Sequence, residues 1–518
     1  MRSLMIVGTA SNVGKSIICT ALCRIFTQDG LQTAPFKAQN MSLNSAVTPS
    51  GREIGRAQAV QAEAAGILPN EHMNPVLLKP TGHRTQVVVQ GQVYDTVSAQ
   101  RYFSSNKARL WDAVVESYHF LSKRYDLIIM EGAGSPVEMN LKERDIANLK
   151  AAELADACVV LVADIDRGGV FASVVGTLQL MTEEERQRVK GVIINRFRGD
   201  PELFDDGVRL LESYTGIPVI GVIPYVANIG IEEEDSMGLE RFRESTERQT
   251  NDHRLRIGII KLPHISNFTD FDPLFLEPDV DASFVTSPHQ LSDVDVVVLP
   301  GTKNTMSDLL WLWESGLAEF LQGMDESKQF LLGICGGYQM MGERIRDPYH
   351  QEEEDIDEAV ALGLFPFETV LTKEKQTVLV EGDLSKIYAG IKVTGYELHM
   401  GRTTHLQSLR PFARIRPAQH SDNGQVEITQ GDTLQTRQGG AVDGVVSENG
   451  KTIGTYLHGI LHNDEFRMSW LNRVRASRGL PPRSQSILVS QSREAAYNSL
   501  ANTVRQHLNF SLLYEFLR

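Results

Sequence analysis

Six short, nearly uninterrupted apolar runs punctuate the first 230 residues, at 4–8, 33–38, 126–132, 158–164, 189–195 and 217–224. Helical stretches separate them, and three of the six close on a glycine or an acid. Strands that are apolar on both faces belong inside a parallel sheet covered by helices, with function at their carboxyl ends. A second series of runs, at 256–263, 294–301, 330–337, 378–384 and 453–459, repeats the pattern. Between the two series, residues 232–254 are almost devoid of large apolar side chains and read as a linker or an exposed surface helix. A chain of 518 residues exceeds what one core organises. The expected layout is an α/β parallel-sheet domain at 1–231, a linker at 232–254, a second α/β domain at 255–470 and a helical tail at 471–518 packing back on the second domain. The acidic run at 351–358 is expected to be a solvated loop.

Charge narrows the partners. A net charge of −15 repels nucleic acid and anionic membranes, while leaving room for a locally basic pocket and a small acidic substrate. The first residues hold an apolar run too short for a signal peptide or a membrane span. Cys19, Cys23, Cys158 and Cys335 show neither CxxC pairs nor framework spacing, which points to free thiols in a reducing compartment. The expected location is the cytoplasm. The sequence is silent on oligomeric state.

Directly after the first apolar run stands Gly8-Thr9-Ala10-Ser11-Asn12-Val13-Gly14-Lys15-Ser16, followed by a helical pattern at 17–26. Small residues let backbone N–H groups turn inward around phosphates at the positive end of the next helix. Gly8, Thr9 and Gly14 would shape an ATP-binding loop, Lys15 would reach the terminal phosphates, and the Ser16 hydroxyl would ligate Mg²⁺. Thr9 occupies the place where such loops usually carry their first glycine. Glu131, Asp164 and Asp166 close later strands, where a carboxylate either holds Mg²⁺ or caps the next helix. Asn195, closing another, either meets an adenine edge or shapes a turn.

The second series carries Gly333-Ile334-Cys335-Gly336-Gly337-Tyr338-Gln339 at the end of an apolar run. A nucleophile at a strand-to-helix apex, flanked by glycines, suits attack on a carboxamide such as that of glutamine. The N–H of Gly336 and one from the turn at Pro300-Gly301-Thr302 would stabilise the oxyanion. His458, in Thr455-Tyr456-Leu457-His458-Gly459, is the candidate general base.

These segments carry a resemblance. The Cys335 motif, with Gln339 and the downstream Tyr456-Leu457-His458-Gly459, resembles the class I glutamine amidotransferases. The loop at 8–16, with Glu131-Gly132-Ala133-Gly134, is similar to the dethiobiotin synthetases. Their fusion in this order resembles the cobyric and cobyrinic acid amide synthase family. Its cobyric branch is matched at 36–45, 55–58, 74–80, 163–171, 195–199 and 395–401, over nearly the whole chain.

The resemblance implies an ATP- and glutamine-dependent amidation of the b, d, e and g carboxylates of adenosylcobyrinic acid a,c-diamide, through an acyl phosphate and glutamine-derived ammonia. It implies substrate contacts at Lys37 and Asn40. Tyr396, Glu397 and His399 form a similar cluster in the second domain, bordering the corrinoid or the domain interface, and for them a structural and a binding role stand equally open. Cobalt would belong to the substrate. Amidotransferases of the first type place a Glu two residues after the catalytic His, whereas Ile460 stands there in this chain. The expectation is therefore a Cys–His dyad, with any orienting group coming from elsewhere. Two rivals remain: the a,c-diamide synthase branch, and a P-loop switch ATPase carrying a degenerate glutaminase-like domain.

Overall fold

A computed structural model of the chain describes residues 2–81, 84–98, 108–227, 229–232, 253–352, 355–418 and 440–518. It divides into two compact units. The first comprises Met1–Ser42, Arg52–Glu232 and Ser490–Arg518; the second comprises Leu43–Gly51 and Glu233–Val489. Most of the expected linker, at 233–252, lies outside the described residues.

All six early apolar runs become strands of one sheet in the first unit. They are β1 (Arg2–Gly8), β2 (Thr33–Phe36), β3 (Leu127–Glu131), β4 (Cys158–Asp164), β5 (Val189–Phe197) and β6 (Val219–Pro224). The spatial order is β6-β5-β4-β1-β3-β2, and every pairing is parallel. β1 is central, with β3 and β4 on its flanks. The loop leaving β1 therefore opens between the ends of two neighbours, where an open α/β sheet binds ligands. Helix α1 (Lys15–Gln28) follows and buries Ile18, Cys19, Leu22, Cys23 and Phe26 against the sheet.

The second unit repeats the plan with β7 (Leu255–Ile260), β8 (Val280–Val285), β9 (Val296–Leu299), β10 (Phe330–Ile334), β13 (Val445–Val446) and β14 (Thr452–Thr455). Their order is β8-β7-β9-β10-β14-β13. The run at 378–384 belongs to a different sheet, inside the long strand β11 (Phe367–Leu384), which pairs antiparallel with β12 (Lys392–His405).

Two expectations are corrected here. The tail does not pack wholly on the second unit. Helix α2 (Asp464–Ser477) stays there, burying Phe466, Trp470 and Leu471. Helices α3 (Val489–His507) and α4 (Phe510–Phe516) instead join the core of the first unit through Tyr497, Leu500, Val504, Leu508, Leu513 and Leu517. Polar contacts fix the docking: Arg24 binds Glu494 at 2.5 Å, Arg505 binds Asp29 at 2.8 Å, and the Tyr514 hydroxyl donates to Asp29 at 2.6 Å.

The acidic run is not simply a solvated loop either. Glu352 turns inward and accepts from the Met306 N–H at 2.9 Å and the Thr305 hydroxyl at 3.2 Å, and burial lifts its carboxyl to about 7. Residues 353–354 of that run lie outside the described residues.

Candidate active sites

In the first unit, the phosphate loop is shaped by contacts that exclude larger residues. Gly14 caps α1 at φ +99°, and a Cβ there would stand 2.2 Å from Asn195 Nδ2. Asn195 donates that amide to the Val13 carbonyl at 2.9 Å, so it buttresses the loop from β5. Thr9 donates its N–H to the Val162 carbonyl at 2.9 Å, tying the loop to β4. Lys15 curls back, with Nζ donating to the carbonyls of Ala10 and Gly134 at 3.0 Å each. This leaves its ammonium inside the loop where phosphates would sit.

Glu131, at the end of β3, is gathered by three donors. Ser16 Oγ and Lys37 Nζ reach one oxygen at 2.8 Å each, and Gln61 Nε2 reaches the other at 2.6 Å. Burial pushes the carboxyl up, but Lys37, Gln61 and Ser16 together hold it below its ordinary value. A hydroxyl and an ionised carboxylate side by side are hard oxygen donors of the kind Mg²⁺ takes beside nucleotide phosphates.

Asp164 is engaged elsewhere, accepting from Arg196 at 2.9 Å and from the Asp166 N–H at 2.8 Å. Asp166 in turn pairs with Arg198 at 2.5 Å. Asn40 is buried and donates to Gln58 at 3.0 Å. The structure thus brings Lys15, Ser16, Glu131 and Lys37 to one end of the sheet. Asp164 and Asn40 hold different partners.

In the second unit, three adjacent strands deliver the other site. Cys335 follows β10 at φ +52°, ψ −110°. That backbone is strained for a side chain with a Cβ and is the mark of a nucleophile elbow. Its own N–H is spent on the Thr455 carbonyl at 2.8 Å. Gly336 opens the following short helix (Gly336–Met340), so its N–H has no carbonyl four residues back. A Cβ on Gly336 would lie 3.1 Å from the Thr302 N, and one on Gly337 would lie 2.0 Å from the Leu299 carbonyl oxygen. The elbow and the turn after β9 therefore close together only because both residues are glycine. Gly301 stands between the reacting groups: a Cβ there would be 3.1 Å from His458 Cε1 and 3.6 Å from Cys335 Cβ.

The place left open for an orienting group beside the Cys–His dyad is taken by Asp270. Its Oδ2 lies 2.7 Å from His458 Nδ1, and its Oδ1 accepts the Gly459 N–H at 2.9 Å. Sequence reading missed this acid because it sits 188 residues before its partner, in a loop without motif character. The one available signal was position: the loop follows the first strand of the second unit, at the carboxyl end of the sheet. Burial disfavours the charged ring, yet Asp270 and Cys335 more than offset it, and His458 is raised to about 10. Its Nε2 is buried and accepts or donates no hydrogen bond among the described residues. It is the free atom that can exchange a proton with the thiol and with a leaving amine.

Around this pair lie the remaining candidates. The Tyr396 ring stacks on His458, with centroids 5.1 Å apart and planes 15° apart. The two residues also exchange backbone hydrogen bonds at 3.2 and 2.9 Å. Cys335 Sγ donates to the Leu398 carbonyl at 3.6 Å. Gln339 is held between Tyr456, to which it donates at 3.2 Å, and the Thr305 hydroxyl, which donates to it at 3.3 Å. His399 stacks on Tyr456 at 3.8 Å and is lowered by burial to about 4, hence neutral. Glu397 is pushed up by burial and by Asp443, with His458 opposing. Tyr396, Glu397 and His399 therefore gather beside the Cys335–His458 pair.

The comparisons agree with both ends. Residues 4–239 match the family described as the CobQ/CobB/MinD/ParA nucleotide binding domain, and 256–466 match the CobB/CobQ-like glutamine amidotransferase domain. The chain is similar to proteins named cobyric acid synthase along almost its whole length. It is 47% identical to that of Caldanaerobacter subterraneus subsp. tengcongensis, over 99% of this chain and 98% of the other. It is 44% identical to that of Geobacillus thermodenitrificans, over 99% and 98%, and 44% identical to that of Salmonella typhimurium, over 100% and 98%. Among the described residues no helix is long and apolar enough to cross a membrane. With a nucleotide-binding half, a glutaminase half and this end-to-end likeness, the chain belongs to the cobyric acid synthase family of amide-forming ligases.

Proposed function

We propose that the protein uses ATP and glutamine, in the cytoplasm, to amidate the b, d, e and g carboxylates of adenosylcobyrinic acid a,c-diamide, a small corrinoid. The observation that carries this reading is the union, in one chain, of a Cys335–His458–Asp270 triad with a phosphate loop whose Lys15 and Ser16 stand beside the Lys37–Glu131 pair.

At the second-unit site, Cys335 attacks the glutamine carboxamide while Gly336 and the turn at Gly301 and Thr302 stabilise the oxyanion. His458 carries the proton taken from the Cys335 thiol and gives it to the departing ammonia. The neutral imidazole then activates water to open the thioester and release glutamate. Asp270 keeps the ring in one tautomer and orientation throughout. Gln339 fits the role of shaping the pocket for the amide.

At the first-unit site, the substrate carboxylate needs activation because hydroxide is too poor a leaving group. ATP converts it to an acyl phosphate, and ammonia displaces phosphate. Lys15 and Lys37 stabilise the charge on the transferring phosphoryl group. Ser16 and Glu131 are the residues that fit Mg²⁺, which when bound would neutralise phosphate charge. Asp164 could join them only by giving up Arg196. Asn195 serves the loop, and Asn40 is buried on Gln58, so of the two proposed substrate contacts Lys37 is the better placed.

Mass spectrometry of the corrinoid after incubation with ATP, Mg²⁺ and glutamine tests the reading. Four successive carboxyl-to-amide conversions are expected. Amidation of cobyrinic acid in place of its a,c-diamide would move the protein to the diamide synthase branch. Amidation of neither, with ATP hydrolysed and no glutamate released, would favour the switch ATPase.

A further inference from the structure

The second unit contains a piece of the N-terminal half of the chain, Leu43–Gly51. It is no loose loop: Asn44, Ser45, Val47 and Thr48 are all buried. What it touches is the support of the glutaminase site. The Ser45 N–H donates to Asn267 Oδ1 at 2.9 Å, and Asn44 Oδ1 accepts the Phe268 N–H at 3.3 Å. Asn267 adopts a left-handed backbone, φ +52°, and opens the 3-10 turn at Phe268–Phe271 that bears Asp270. From the other side, the Tyr396 hydroxyl donates to the Ser45 carbonyl at 3.4 Å, while Val47 packs with Tyr396 and Leu398.

These contacts converge on one ring. His458 is held at Nδ1 by Asp270 and across its face by Tyr396. Ser45 reaches both supports: its N–H holds Asn267, which opens the turn bearing Asp270, and its carbonyl accepts from the Tyr396 hydroxyl. The loop that bears Asp270 also steadies the oxyanion turn, because the Ser266 N–H donates to the Gly301 carbonyl at 3.0 Å. The turn is held from its own side by Phe268 and Phe271 in the core and by His462 Nε2, which meets the Thr269 carbonyl at 2.9 Å. The segment holds its entrance, at the left-handed Asn267.

We infer that Leu43–Gly51 completes the glutaminase site, with Asn44 and the Tyr396 hydroxyl acting as positioning residues for Cys335 through Asp270 and His458. The inference rests on the glutaminase reading of Cys335. It means that the second half of the sequence does not contain its whole site: the clamp is encoded just downstream of Lys37 and Asn40.

The test uses the full chain and the variants Asn44→Ala, Asn44→Asp and Tyr396→Phe. Three readouts are needed: glutamate release from glutamine, corrinoid amidation driven by ammonium chloride, and the pH profile of Cys335 alkylation by iodoacetamide, followed on the Cys335 peptide. The titratable groups around His458 that bear on that profile are Asp270, Cys335, Glu397 and His399.

Asn44→Ala and Tyr396→Phe are expected to lower kcat for glutamate release on the order of 10- to 100-fold with KM little changed. Ammonium-driven amidation should stay at the wild-type rate in Asn44→Ala, which removes none of the candidate substrate contacts. The alkylation limb should move to higher pH, because a poorly held imidazolium stabilises the thiolate less. Asn44→Asp keeps the acceptor oxygen and should restore most of the rate. Unchanged glutamate release in both variants would overturn the inference. So would a parallel fall of glutamine- and ammonium-driven rates with an unmoved alkylation profile, which marks general loss of fold. If the wild type releases glutamate but amidates no corrinoid, the proposed substrate fails and the glutamate and alkylation readouts still decide the clamp.

Discussion

The two ends of this chain solve opposite electrostatic problems with the same kind of pair. At the phosphate end a buried acid, Glu131, is kept ionised by a cation, Lys37, from the neighbouring strand region. At the glutaminase end a buried base, His458, is kept charged by an acid, Asp270, from a distant loop. In each case burial alone would discharge the group, and its polar partners, led by one counter-charge within 3 Å, reverse the outcome. In the proposed chemistry the first pair readies a site for phosphates and metal, and the second holds a proton for a leaving amine. What differs is encoding: both members of the first pair lie in recognisable motifs, whereas the second pair joins a motif to an anonymous turn.

The largest expected effect separates the two ends outright. Cys335→Ala should abolish glutamine-driven amidation, by at least about 10⁴-fold, while ammonium-driven amidation persists. Equal loss with both nitrogen sources would mean the ends are not chemically distinct. Next, Asp270→Asn should lower glutamate release by about 10²- to 10⁴-fold, since an amide can hold the wrong tautomer.

The same variant carries a stability signature. The folded value of His458 is raised from 6.5 to about 10, so the pair stabilises the fold fully below about pH 6.5 and that share fades as pH rises through about 10. Denaturant midpoints of wild type and Asp270→Asn should converge between pH 7 and 10. A gap constant with pH would contradict the charged pair.

Lys37→Met should act at the other end, lowering glutamine- and ammonium-driven amidation together. It should also destabilise the first unit by about 3–5 kcal/mol, because it strands a buried carboxylate. Differential loss with the two nitrogen sources would move Lys37 out of the amidation site. Smallest of all, Leu513→Ala in the docked tail should cost about 2–4 kcal/mol in the first unit's unfolding and leave glutamate release at the wild-type rate.

How legible each part was follows from where its determinants lie. All six strands of the first sheet and the core of the second were readable because a buried parallel strand announces itself in consecutive apolar residues. The elbow at Cys335 was readable for a similar reason: only glycines allow Gly337 to approach the Leu299 carbonyl so closely. The tail was readable as helices but not as to partner. The stripe of Tyr497, Leu500, Val504 and Leu508 would bury equally well against either unit. Asp270 and the Leu43–Gly51 segment were hidden because their roles arise from hydrogen bonds across long sequence separations, which no local period records. Glu352 was hidden by its company, one inward acid in a run whose other described acids, Asp355, Asp357 and Glu358, are exposed.

The most direct measurement follows the nitrogen. With ATP, Mg²⁺, adenosylcobyrinic acid a,c-diamide and glutamine labelled with nitrogen-15 at its side-chain amide, the account predicts label in four new corrinoid amides and matching release of glutamate. New amides without label, or glutamate released while the corrinoid carboxylates persist, would contradict it.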